Sequence, residues 1–267
     1  MKPGIYYDIS NEDYHSGPGV SSTTFKKIGR SPAHSQVPEE EKPAYRFGEL
    51  FHRFLELGRD KWEDSVAVAS EGMKFTTKDG KEFKRIAEER GLDIVKYDEA
   101  KAIYRMAENC LDLHLSEDKT VRDLWQKSRR EVSHFWIDES TGLLCKCRSD
   151  VENTKISTIL DWKTCQDARE HATQNAMASY GYHESAAFYL DGTGLDYFIW
   201  CWVEKTPPYA AQLEYCHRDD EIIQVGRVLY RRHLDIYKRC LDSGTWPAYA
   251  DVPRQATLPS WASREYF

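Results

Sequence analysis

The sequence predicts an α/β (α+β) fold in which helices flank a mixed central sheet. Three observations lead there. The apolar pattern runs along the chain in the order helices, strand meander, helix, strands, helix. The strand-like runs are short, rich in β-branched and aromatic residues, and separated by turn formers. No internal repeat or low-complexity tract interrupts the 267 residues, a length one domain can reach, so residues 1–267 are expected to form a single domain.

The first thirty-odd residues are punctuated by turn formers at Pro3-Gly4, Ser10-Asn11 and Gly17-Pro18-Gly19. Ser21 or Ser22 then reads as the N-cap of a short helix through Phe25 and Ile28, ending near Gly29 and Pro32. Residues 31–43 are polar and bounded by prolines, which predicts a loop. In FGELFHRFLELG (residues 47–58), Phe47, Leu50, Phe51, Phe54 and Leu55 recur at helical spacing, as expected of a well-buried helix. Residues 71–91 are rich in Lys and Glu with weak periodicity, and residues 98–115 read as a long amphipathic helix. From Arg129 the runs EVSHFWID, LLCKCRSDVE and TILDWKT, split by ESTG and NTK, predict three consecutive antiparallel strands. A helix over 168–189, strands at YFIWCWVEK and AQLEYCH, a helix over 219–241 and an irregular tail complete the reading.

Composition narrows the function classes. Hydrophobic residues at 40% and charged residues at 30% are ordinary for a globular protein. No stretch approaches the roughly eighteen apolar residues a membrane helix needs, and MKPGIYYDIS lacks the apolar core of a secretory signal, so a cytoplasmic protein is expected. The seven cysteines are odd in number and irregularly spaced, which favours reduced thiols. Cys145 and Cys147 have no second close pair to complete a zinc or iron–sulfur site. A net charge of −7 argues against a generally basic nucleic-acid surface but allows a local basic channel and a carboxylate cluster around a divalent cation.

One constellation carries chemistry. Arg148-Ser149-Asp150 is followed, after ten residues, by Asp161-Trp162-Lys163. Alternate residues of a strand share a face, so Asp161 and Lys163 project together. Asp150, at the end of the preceding strand, returns beside them through a short turn. Hard carboxylate oxygens suit Mg²⁺, which polarises a phosphoryl oxygen and lowers the pKa of a bound water. A neighbouring lysine can orient or deprotonate that water or neutralise developing charge, and the Trp162 carbonyl is a further candidate ligand. The same residues could instead be charges on an edge strand, but Asp161 directly follows Ile159 and Leu160, where a solvated charge is not expected.

Further candidates admit two readings each. His52 lies within the apolar helix over 47–58, either as a satisfied core histidine or as a metal or phosphate contact. Glu131 either reaches the metal through water or is a surface carboxylate. The helix start at Ser21–Thr24, with Lys26, Lys27 or Arg30 nearby, is either a plain capped helix or an anion site for a 5′ phosphate. Tyr180, Tyr182 and Tyr189 either pack their helix or, in a protein that acts on DNA, contact it.

Taken together, GIYYDISNEDYHSGPGVS, FGELFHRFLELG, TGLLCKCRSD, LDWKT, YHESAAFYLDG, WPAY and LPSWA, in this order along almost the whole chain, resemble the nuclease domains of the RecE type (exodeoxyribonuclease VIII). These belong to the PD-(D/E)XK nuclease superfamily and are functional relatives of lambda exonuclease. The resemblance implies the PD-(D/E)XK nuclease fold, with His52, Asp150, Asp161 and the Trp162 carbonyl as metal ligands. It also implies Lys163 as the catalytic lysine and Glu131 at a position where the family has a glutamate. It implies a phage or prophage exonuclease that uses Mg²⁺ (Mn²⁺ as a substitute), needs no ATP and digests linear double-stranded DNA from 5′ ends. The 3′ overhang would pass to a single-strand annealing protein in recombination, and the enzyme would be a homo-oligomeric ring, a tetramer or trimer. Two positions depart from the family. Its proline before the first aspartate is Ser149 here, a change in backbone shape only. Its glutamine four residues before Tyr189 is Ser185, which is shorter and puts one substrate or metal-water contact in doubt.

Three other functions remain. A metal-dependent endonuclease on the same fold is one, since fold and metal site do not fix substrate. A non-catalytic DNA-binding subunit with a decayed site is another, opposed by the presence of Asp150, Asp161 and Lys163. Cys–His nucleophilic catalysis at Cys165 is the third, and nothing in the sequence places a histidine near it.

Overall fold

The computed structural model describes residues 1–38, 46–250 and 252–258. Strand β1 (Gly4–Tyr6) and helices α1 (Asn11–Ser16) and α2 (Ser22–Arg30) open the chain, followed by a 3-10 turn at Pro32–Gln36. Next come α3 (Arg46–Leu57), α4 (Arg59–Ser65), β2 (Val66–Val68), α5 (Lys78–Glu89), β3 (Asp93–Val95) and α6 (Tyr97–Leu111). After β4 (His114–Ser116), β5 (Lys119–Thr120) and α7 (Val121–Gln126) the chain enters the predicted meander, β6 (Arg129–Ile137), β7 (Leu144–Asn153) and β8 (Thr158–Cys165). Helices α8 (Glu170–Tyr180) and α9 (Tyr182–Thr193) cross over to β9 (Tyr197–Glu204) and β10 (Ala211–His217), and α10 (Glu221–Ser243) follows.

Among the described residues six strands form the main sheet, in the order β1-β6-β7-β8-β9-β10. Only β8 and β9 run parallel; every other neighbouring pair is antiparallel, so the sheet is mixed as predicted. Its centre is buried on both faces, which is why YFIWCWVE reads as a continuous apolar run. Leu160, Trp162, Ile199, Cys201 and Val203 pack under α3, α6 and α7. Ile159, Phe198, Trp200 and Trp202, one residue out of phase, pack under α2, α9 and α10 on the other face.

Several elements differ from their prediction. The helix expected over 168–189 is two helices. Gly181 sits at φ +64°, a left-handed conformation that ends α8 by donating its N–H to Met177 O and starts α9 in a new direction. The helix expected over 98–115 stops at Leu111, because His114 turns to pair with Thr120 in a hairpin. Residues 71–91 hold α5, whose weak periodicity reflects a helix burying only Gly80 and Ala87. Its N-cap Thr77 accepts a 3.2 Å hydrogen bond from the Gly80 N–H. The turn-rich N-terminus contains β1 and α1, too short for periodicity to reveal. Of the predicted loop over 31–43, residues 39–43 lie outside the described residues, as does the tail beyond Leu258. Among the described residues no helix is long and apolar enough to cross a membrane.

Helix α10 lies close enough to α9 that a Cβ on Gly226 would fall 2.2 Å from the His183 carbonyl oxygen. Backbone cannot yield as a flexible side-chain end can. Gly226→Ala is therefore expected to destabilise the protein by about 1–3 kcal/mol, the usual range for overpacking. At this chain length that lowers Tm by roughly 3–10 °C. A melt unchanged within a degree would show that the helices separate freely.

Candidate active site

The site forms where two strands part. The β7–β8 ladder pairs Asn153 with Thr158, Glu152 with Ile159 and Val151 with Leu160, and stops there. The same register would next set Asp150 opposite Asp161. Instead the Trp162 N–H donates a 2.8 Å hydrogen bond to Asp150 Oδ2, so a side chain takes the place of the backbone partner. Beyond the fork, Val20 pairs with β7 at Cys145. Asp150 is thus inside its strand, three residues before the end, and not at its end as the sequence reading had it.

The facing of β7 also changes at this point. Strict alternation puts Cys145, Cys147 and Val151 on one face, yet the two cysteines lie in the core under α9 and Val151 in the core under α3. The flip falls beside Glu131, which would pair with Asp150 in the β6–β7 register but is missing from that ladder and adopts φ +51°. A non-glycine residue there is strained, and such irregularities recur where a strand must re-aim side chains at a functional site.

Five predicted residues, Asp150 among them, converge on the fork. On α3, His52 Nδ1 lies 3.4 Å from Asp150 Oδ2, which answers the question left open by its apolar helix: His52 faces the carboxylates. On β8, Asp161 and Lys163 share a face as expected, and Lys163 Nζ lies against Asp161 Oδ2. That oxygen is buried and accepts no well-directed hydrogen bond among the described residues. The Trp162 side chain faces the opposite core. Glu131 lies at the fork rather than on the open surface, beside Asp150 and 3.8 Å from Arg148 Nη1. Glu56, unforeseen, sits exposed one turn beyond His52 on α3, near enough to Arg148 and Asp150 to feel their charge. The i,i+4 spacing of His52 and Glu56 was the available signal.

The electrostatics are those of crowded carboxylates. Burial pushes Asp150 above the ordinary aspartate range; His52 opposes this and Asp161 adds to it. Burial, then Asp150 and Glu56, push Glu131 well above the ordinary glutamate range against the pull of Arg148. Partial desolvation raises Glu56 as well, although its surface is largely exposed. Burial acts to lower the Lys163 pKa, but Asp161 and Asp150 outweigh it and the net direction is up, so the lysine stays charged.

As they stand, no three His, Cys, Asp or Glu side chains among the described residues form a ready metal site. The reason is local: Asp150 is turned to the Trp162 N–H and Asp161 to Lys163. The donor set nevertheless fits a hard divalent cation. It offers carboxylates, an imidazole and a buried carboxylate oxygen without a well-directed donor, in a cluster whose carboxylates resist ionisation unless positive charge is added.

The tyrosines divide. Two ammonium groups lie against the Tyr182 ring, Lys163 at 5.0 Å and Lys26 at 5.1 Å, with Trp202 edge-on at 5.6 Å. Tyr182 therefore borders the site, and Tyr180 stands beside it at 5.6 Å, largely exposed. Tyr189 is packed against Phe198 and hydrogen-bonded to Ser22. Ser185 returns its hydroxyl to the Gly181 carbonyl within the helix at 3.3 Å. The start of α2 is a capped helix, with the Ser21 N–H donating to Thr24 Oγ1. Lys27 is bonded to the Val37 carbonyl and Arg30 to Tyr249, so of the three cations proposed near an anion only Lys26 turns to the site. All seven cysteines are free. Burial pushes Cys165 up to about 11, the opposite of an activated nucleophile.

Residues 21–254 match the sequence profile of a family described as a PDDEXK-like domain of unknown function (DUF3799). No curated protein matches the sequence. Among solved structures, a presumptive exonuclease from Eubacterium rectale is similar with a TM-score of 0.57 at 12% identity, over 97% of this chain and 98% of its own. A phage-related exonuclease from Haemophilus somnus 129PT matches at 13% identity over 88% of this chain and 100% of its own, with a TM-score of 0.37. At these identities the first likeness speaks for the fold alone, and the second is too distant to add to it.

Proposed function

Because the chain belongs to the PDDEXK-like domain family, we propose that it is a Mg²⁺-dependent, ATP-independent exonuclease that digests linear double-stranded DNA from 5′ ends. The observation that carries the reading is the fork, which brings Asp150 beside His52 and Asp161 against Lys163 at the parting of β7 and β8. The exonuclease direction, the 3′ overhangs left for an annealing protein, the oligomeric ring and the action of residues 1–267 as one domain come from the RecE-type resemblance and are proposed with it.

In this reading His52, Asp150, Asp161 and the Trp162 carbonyl hold the cation, with Glu131 acting through water and Mn²⁺ able to replace Mg²⁺. When bound, the cation supplies Lewis acidity toward phosphoryl oxygen and a more acidic water. Lys163 contributes positive charge: it remains protonated while Asp161 lies against it, and it neutralises charge developing on the phosphate. Tyr182 stands against that lysine and, with Lys26, lines the approach for the DNA strand. Ser185, bonded back to its own helix, leaves the place of the family's glutamine without a long side chain.

Purified protein with Mg²⁺ is expected to degrade linear duplex DNA, to spare closed circles and to stop in EDTA. Loss of a 5′ label before a 3′ label from each strand would fix the direction, and light scattering after size exclusion would report the assembly. Cutting of closed circles would favour the endonuclease. Metal-independent DNA binding without cleavage would favour the non-catalytic subunit.

The carboxylates also predict a pH-dependent metal effect. A carboxyl group whose pKa is raised by folding favours the folded state below its unfolded pKa and loses that contribution as pH rises through its folded pKa. Asp150, Glu131 and Glu56 are all raised, so the metal-free protein is expected to lose stability from the weakly acidic range upward. Millimolar Mg²⁺ should raise Tm more at pH 8 than at pH 5, because binding relieves this repulsion and displaces protons. Equal increments at both pH values would argue that the cation binds elsewhere.

A further inference from the structure

Arg148 lies two residues before Asp150 on β7 and is almost entirely buried. Its Nε donates to Ser133 Oγ at 2.8 Å, Nη1 to Asn11 Oδ1 at 3.3 Å, and Nη2 to the carbonyls of Ile9 and Ser10 at 3.0 and 3.4 Å. The guanidinium also covers the buried Tyr14 ring at 4.3 Å. Lys146, two residues earlier, grips the other side of the same segment. Its Nζ donates 2.6 Å hydrogen bonds to the Tyr14 and Gly17 carbonyls and lies 4.9 Å from the Tyr14 ring. Residues 9–17 are thereby strapped across β7 by two cations on alternate positions.

The acceptors that Arg148 finds on the strap and on Ser133 are all neutral. Among the described residues the one carboxylate within 4 Å of it is Glu131, with Oε2 at 3.8 Å from Nη1. A buried charge is tolerated when it is both hydrogen-bonded and matched by an opposite charge. The strap and Ser133 supply the hydrogen bonds, and the acidic groups that the guanidinium draws toward their charged form are Glu131 and, further off, Glu56. Glu131, in turn, has a strained backbone and stands beside Asp150, and the fixed charge of Arg148 is what draws its carboxyl toward the ionised form at the fork.

We infer that Arg148 is a positioning residue that acts through Glu131, and that residues 9–17 belong to the active-site framework because they hold Arg148. The inference rests on the nuclease reading, in which Glu131 serves the metal site. Partners that orient a metal site without ligating the metal are typically worth about 10–100-fold in affinity or activity. Arg148→Gln is expected to lower kcat by that factor and to weaken Mn²⁺ binding similarly, with KM for DNA changed less than about twofold, since the residue touches no substrate.

The deciding experiment is a double-mutant cycle with Glu131→Gln, read both as kcat and as the Mn²⁺ dissociation constant from calorimetry. If Arg148 acts through Glu131, the double variant is no worse than Glu131→Gln alone. Multiplying effects in a folded protein, or a folded Arg148→Gln with full kcat and full Mn²⁺ affinity, would overturn the inference. Should Arg148→Gln fail to fold, Asn11→Ala takes its place. Asn11 is exposed and gives Arg148 one acceptor, so its loss should lower kcat a few-fold with little change in melting, and again only when Glu131 is present. Effects of Asn11→Ala that multiply with Glu131→Gln would be equally fatal. A wild-type protein that binds Mn²⁺ but cleaves no DNA would sink the nuclease reading while leaving the coupling measurable by calorimetry.

Discussion

Asp161→Asn is expected to lower the rate of DNA hydrolysis by roughly a hundredfold to a thousandfold or more, the scale on which one preorganised electrostatic group contributes. The side chain is mostly buried, meets Lys163 and shares the fork with Asp150, so no neighbour can replace it. The same substitution leaves Lys163 as a buried cation with less compensation, and breaking one side of a buried ion pair typically destabilises a protein by about 3–5 kcal/mol. Activity and folding therefore have to be separated. Lys163→Met breaks the pair from the other side. The double variant Asp161→Asn, Lys163→Met removes both charges and should melt at least as high as either single variant, while all three remain inactive. A folded double variant with substantial activity would remove this pair from the mechanism. Recovery of neither stability nor activity would show that the pair is needed to form the fork itself.

The second large effect concerns the scaffold. Phe51→Ala is expected to destabilise the protein by about 3–5 kcal/mol, as large-to-small changes of fully buried aromatics do. Phe51 is 0% exposed and packs in the core that joins α3 to the sheet and to α6. For a chain of this length that corresponds to a fall in Tm of roughly 6–20 °C. His52 is the next residue, so the packing that seats Phe51 also aims the imidazole at Asp150. Activity just below the new melting range should fall before bulk unfolding if α3 loosens first. Urea unfolding monitored by tryptophan fluorescence measures the stability change, and a loss under about 1 kcal/mol would mean that the cavity collapses around the missing ring.

Much of this architecture is legible in the amino-acid order, because its signals are local. The β-branched and aromatic residues of the short runs EVSHFWID, LLCKCRSDVE and TILDWKT, and the turns between them, are enough to place β6, β7 and β8. The helical spacing of Leu50, Phe51, Phe54 and Leu55 is enough to place α3. Strand alternation alone sets Asp161 and Lys163 side by side, and the blocks shared with RecE-type nucleases point to His52, a residue whose surroundings in the sequence read as core. Gly181 is the instructive intermediate case. A glycine within an otherwise helical stretch is compatible with one helix or two, and its left-handed conformation decided for two.

What only the tertiary structure decided depends on groups far apart in sequence. The parting of β7 from β8 after three residue pairs, the flip of β7 at Asp150 and the strained Glu131 opposite it arise from competition among neighbouring strands, which no local pattern encodes. Glu56 joins the site because α3 packs at one angle on the sheet. Arg148 becomes a buried cation only because a segment more than a hundred residues earlier folds over it and offers carbonyls. The sequence determined which residues can do the chemistry, since that depends on their side chains and strand spacing. The fold decided which carboxylates share the charge of that site, since burial and distance set the energy of a charge.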